Sequence, residues 1–122
     1  MVLKVLTFLI FLIASSLSLA TPPSEVTITY NAGKELLHVV AKHPSDRLHR
    51  HYLRKMIVYK NGDADSTLYF GLQRFAWGLE EDVLLKAKPG DKLKIELFCS
   101  QGGSGEVEMT VSNAVIPAEA GI

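Results

Sequence analysis

Short runs in which apolar and polar residues alternate dominate the chain from residue 25 onward. Lys92-Leu-Lys-Ile-Glu-Leu-Phe98 alternates strictly, as a strand does when one face is buried and the other solvated. Glu25 to Tyr30 and Glu106 to Val111 follow the same rule, and Leu36 to Ala41 is a denser apolar run. Tyr52 to Lys60 is followed by Asn61-Gly62, the strongest short hairpin signal, with Thr67 to Phe70 as the expected partner strand. Asp82 to Lys86 reads as another short strand, and Pro89-Gly90-Asp91 as a turn. No segment holds a helical period over three turns. Seven short strands at this spacing predict an all-β fold, an immunoglobulin-like antiparallel β-sandwich.

The first twenty residues break this pattern. Met1 to Lys4 makes a short positive start, Val5 to Leu19 is almost wholly apolar, and Ser18-Leu19-Ala20 places small residues before a cut. Thr21-Pro22-Pro23 then stops any helix. This is the layout of a secretory signal peptide, so residues 1–20 are expected to be removed and the protein to be periplasmic or secreted, with no membrane association after cleavage. Residues 21–112 are expected to form the domain and residues 113–122 a C-terminal tail.

Charge adds little to this picture. The chain of 122 residues has 13 basic and 13 acidic side chains. Removal of the leader takes away Lys4 and no acid, so 13 and 13 become 12 and 13, a formal charge of −1. Nothing in this balance favours a nucleic-acid partner. The single cysteine, Cys99, excludes an intramolecular disulfide.

Candidate chemistry lies in two places. Lys42-His43-Pro44-Ser45-Asp46-Arg47-Leu48-His49-Arg50-His51-Tyr52 carries three of the four histidines between two expected strands. Imidazoles on one loop can converge on a metal. Cys99 ends the strictly alternating strand, on the same face as Leu93, Ile95 and Leu97, and enters a glycine-rich loop, Gln101 to Gly105. A thiol there is either a small core residue or, at the mouth of the sandwich, a thiolate metal ligand or a reactive nucleophile. His38 falls inside a strand and reads as structural.

Together, His43-Pro44, His51-Tyr52-Leu53, the Asn61-Gly62 hairpin and the strand ending at Cys99 resemble the iron domain of superoxide reductase, also called desulfoferrodoxin or neelaredoxin. The resemblance runs from about Leu37 to Val111. It implies an immunoglobulin-like sandwich holding a mononuclear non-haem iron with histidine ligands and an axial cysteine thiolate. By position, His43, His51 and Cys99 match metal ligands, and His49 has the family's spacing from His43 and stands as a reserve. The family's last histidine is replaced by Gly102, and its lysine-bearing segment has no counterpart before Leu36. Lys42 or Arg50 is the expected substitute for that lysine, within a basic set that also includes Arg47, Arg54 and Lys55 and is opposed by Asp46 alone. The implied activity is reduction of superoxide to peroxide, with superoxide or another small anion and an electron-donor protein as partners, and a homo-oligomer as a further expectation. Two imidazoles and one thiolate also suit zinc or copper.

Two alternatives stay open at this point. The His-Pro loop, the hairpin and the Pro-Gly-Asp turn also resemble the immunoglobulin-like subunits of the thiosulfate-carrier complex, which are exported, non-catalytic binding modules. The fold can also persist as a structural domain with no metal and no cofactor.

Overall fold

A computed structural model describes residues 22–112. The expected leader and tail lie outside them. Seven antiparallel strands are present, and no helix occurs among the described residues. They are β1 (Glu25–Asn31), β2 (Leu36–Lys42), β3 (Leu53–Lys60), β4 (Asp63–Tyr69), β5 (Gly78–Leu84), β6 (Lys92–Cys99) and β7 (Ser104–Thr110). One sheet has the order β1-β2-β5 and the other β4-β3-β6-β7. The chain is thus an all-β sandwich of three strands against four.

Alternation builds the core. Leu37, Val39 and Ala41 of β2 and Leu93, Ile95 and Leu97 of β6 are fully buried, and they join residues from both sheets in one apolar cluster. β3 breaks parity once. Leu53 pairs with Cys99 and Lys55 with Phe98, so one extra residue sits at Arg54. This bulge lets both Leu53 and Met56 face the core, although they are three positions apart. The β3–β4 hairpin turns where Asn61-Gly62 predicts it, with both residues at positive φ (53° and 89°).

Three strand boundaries differ from expectation. β5 starts at Gly78 and ends at Leu84, four residues earlier than the expected start and two before the expected end. β4 begins at Asp63 rather than Thr67, and β7 begins at Ser104 rather than Glu106. Each is an edge strand, so its outer residues are polar and give no apolar signal. The start of β5 depends on a close approach. A Cβ on Gly78 (φ 154°) would lie 1.9 Å from the Ala41 carbonyl oxygen and 2.9 Å from the His43 nitrogen. Only glycine lets β5 lie against the end of β2 there.

Candidate metal centre

Three strand ends meet at one end of the sandwich. β2 finishes at Lys42, and His43 follows it directly, its N–H donating to the Trp77 carbonyl at 2.8 Å. β6 finishes at Cys99, opposite Leu53 at the start of β3. His51 stands two residues before Leu53, which brings it to the same corner. His43 therefore arrives from one sheet, and His51 and Cys99 from the other.

Local hydrogen bonds shape the loop between β2 and β3. The Arg47 carbonyl accepts from the N–H groups of both Arg50 and His51, at 3.0 and 2.8 Å. The Ser45 hydroxyl donates to the His51 carbonyl at 2.5 Å. The loop is thus a closed turn that returns His51 beneath His43. Beyond Cys99, Gly102 and Gly103 adopt positive φ (103° and 86°), and the Gly103 carbonyl accepts from the Cys99 N–H at 3.1 Å. The Gln101 N–H donates to Cys99 Sγ at 3.4 Å, a contact of the kind that tunes thiolate-bound metals.

The ligand-type atoms of His43, His51 and Cys99 all lie within 4.8 Å of one another. Among the described residues this is the one group of His, Cys, Asp or Glu side chains arranged to hold a metal ion. Metal–ligand bonds of about 2.0–2.3 Å put two donors on one ion about 3.3–4.5 Å apart. The group reaches that range with shifts of well under a bond length. Two nitrogens and one sulfur also form a chemically coherent set, which iron, zinc and copper accept.

Protonation favours the same reading. Burial, the neighbouring His43 ring and the Arg47 guanidinium push the His51 imidazole below its ordinary value of 6.5, with Asp46 opposing weakly. The neutral form, which carries a lone pair for a metal, is thereby favoured. His43 and Cys99 are both 2% exposed, whereas His51 is half-buried and borders solvent.

The other expected site residues fall elsewhere. His49 is exposed on the loop surface with Asp46, Arg47, Leu48 and Arg50 and is not in the three-residue group. Lys42 does not stand free beside the site, because its ammonium pairs with Glu25 at 2.8 Å. That pairing also corrects the expectation that Asp46 alone opposes the basic set. Lys55 lies over the Phe98 ring, 4.4 Å from its centroid. Arg50 is exposed, and its carbonyl accepts from the Ser100 hydroxyl at 2.9 Å. His38 is structural as expected, its ring nitrogens lying 2.6 Å from Asp82 and 3.1 Å from Glu80.

Sequence reasoning missed Gln73. It is 2% exposed in the β4–β5 loop, and its Oε1 lies 2.8 Å from His43 Nδ1. A lone glutamine between Gly71 and Gly78 carries no signal of this role.

Comparison with protein-family models gives no match, and comparison with curated proteins gives none either.

Proposed function

We propose that the protein is an exported, single-domain metal protein in which His43, His51 and Cys99 hold one iron ion and act on superoxide. The observation that carries the metal part is the convergence of two imidazoles and a thiol from both sheets at one corner. The choice of iron and of superoxide comes from the likeness of the His-Pro loop, the His-Tyr strand and the cysteine-terminated strand to superoxide reductase. The two-sheet, all-antiparallel strand order, with hairpins at β1–β2, β3–β4 and β6–β7, is the fold-level support for this reading.

His43, His51 and Cys99 would hold the iron, which when bound would supply one-electron reduction: superoxide, one electron and two protons from solvent would give hydrogen peroxide, and a donor protein would restore the electron. The chain's own contributions are more specific. Cys99 presents a sulfur from a buried strand end paired to Leu53 of β3, so the sheet fixes the backbone from which that sulfur projects. His51 borders solvent, which leaves an approach for a small anion on its side. Arg47 and Arg50 in the β2–β3 loop are opposed there only by Asp46, so that loop carries a net charge of +1 that attracts anions, whereas Arg74 in the β4–β5 loop lines a cavity with Glu80 and Glu81.

The thiosulfate-carrier likeness implies a non-catalytic binding module; a part for Cys99 itself in carrying sulfur would need its thiol offered to a partner. Cys99 is 2% exposed, which argues for a ligand over a carrier. Superoxide decay followed by pulse radiolysis tests the reading. The iron-loaded protein is expected to remove superoxide catalytically with a reductant present, and His51→Ala to lose that activity. A loaded protein with no effect on superoxide decay keeps the metal site and discards the reaction.

A further inference from the structure

The buried Gln73 amide has all of its faces engaged. Nε2 donates to the His43 carbonyl at 2.8 Å and to the Phe75 carbonyl at 2.9 Å. Oε1 accepts from the Leu53 N–H at 3.2 Å. These three backbone groups admit one orientation of the amide. Exchanging its nitrogen and oxygen would set an oxygen against two carbonyls and an NH₂ group against an N–H, leaving buried polar groups unsatisfied. With the amide so fixed, Oε1 faces His43 Nδ1 at 2.8 Å. A carbonyl oxygen only accepts, so Nδ1 must carry the proton.

We infer that Gln73 is a positioning residue of the metal centre: it holds His43 as the Nδ1–H tautomer and reserves the Nε2 lone pair for the metal. The inference rests on the proposed role of His43 as a ligand, but the tautomer itself is a property of the metal-free protein. Metal-bound histidines commonly give their second N–H to an oxygen that fixes the ring's orientation. A neutral amide suits this place better than a carboxylate. A carboxylate would bring a charge into a buried pocket and repel the two carbonyls that Nε2 now satisfies. The same amide ties the β4–β5 loop to the start of β3 and to the end of β2, so one side chain sets both the ring and the loop that frames it.

The test uses the full chain labelled with ¹⁵N. Long-range ¹H–¹⁵N correlation spectra of the metal-free protein read the His43 tautomer, and a cobalt(II) titration reads affinity. Wild type is expected to show Nδ1–H, with Nε2 unprotonated. Gln73→Leu is expected to lose that preference and to bind cobalt roughly 10–100-fold more weakly. Gln73→Glu keeps an acceptor facing Nδ1 and is expected to restore the tautomer while lowering thermal stability, because its carboxylate faces two carbonyls. A Gln73→Leu protein that melts earlier but keeps the wild-type tautomer and affinity would reduce Gln73 to a structural role. Should Gln73→Leu not fold, an Nε2–H tautomer in Gln73→Glu overturns the inference equally. A wild-type protein with the expected tautomer that takes up no cobalt(II), zinc(II) or iron(II) contradicts the metal site, and with it the purpose assigned to Gln73.

Discussion

The imidazole rings of His43 and His51 meet nearly edge to face, with centroids 4.7 Å apart and planes 75° apart, although the residues stand eight positions apart in the chain. The turn closed on the Arg47 carbonyl makes this possible, and it turns His49 outward. The two candidate histidines can therefore be told apart by experiment. His51→Ala is expected to weaken metal binding by more than roughly 100-fold, beyond the cost of outer-shell changes. His49→Ala is expected to leave it unchanged. Parallel metal titrations of the two variants check this, and equal losses would contradict the geometry.

Gly78 links the backbone of the fold to the site. Any side chain there collides with the Ala41 carbonyl and crowds the His43 nitrogen. Gly78→Ala is expected to cost about 2–4 kcal/mol, from overpacking together with an unfavourable φ. Because the collision involves the Ala41 carbonyl, two residues before His43, and the His43 nitrogen itself, metal affinity is expected to fall as well. Urea unfolding and a metal titration of the same sample measure both effects.

His38 gives a pH dependence unconnected with the metal. The hydrogen bond to Asp82 raises its pKa, burial lowers it somewhat, and the charges of Asp82 and Glu80 raise it further. A group whose folded pKa is raised stabilises the fold when it is protonated. That contribution is fully present below about 6.5 and is lost as pH rises through the raised value. The pair is partly exposed, so the effect is modest and weakens with salt. The difference in Tm between wild type and His38→Gln is expected to be larger at pH 5.5 than at pH 9. An equal difference at both values would remove the ion-pair account.

The basic residues near the site separate by their partners. Lys42 is already offset by Glu25, whereas Arg50 stands on the exposed loop beside His51. Under the proposed activity, Arg50→Ala is expected to slow the reaction with superoxide roughly two- to fivefold at low salt. Lys42→Ala is expected to change it little, and both differences shrink at high ionic strength. Rate constants measured against salt concentration check the pair. A larger effect at Lys42 would contradict the account in which Glu25 offsets it.

Much of the architecture was legible because a two-sided strand writes itself as alternation. Lys92 to Cys99 shows this most clearly, and its parity placed Cys99 on the buried face. The Asn61-Gly62 pair likewise located its hairpin. Edge strands were less legible. Glu80, Glu81 and Asp82 of β5 and Asp63 to Asp65 of β4 form strand backbone while their side chains meet solvent or His38. The choice between His49 and His51 depends on a turn held by Ser45 and Arg47, which spacing alone does not reveal. Gln73 was not legible at all, because its role arises from a contact across 30 positions.

The most direct test of the central claim is metal content with a visible spectrum. The protein is purified untagged from iron-supplemented cells, beside Cys99→Ser. The account predicts one iron per chain and a thiolate-to-iron charge-transfer band that Cys99→Ser abolishes. Stoichiometric zinc or copper, lost with Cys99, would keep the site and contradict the reaction. No metal in either protein, after reconstitution with each ion, would contradict the metal centre itself.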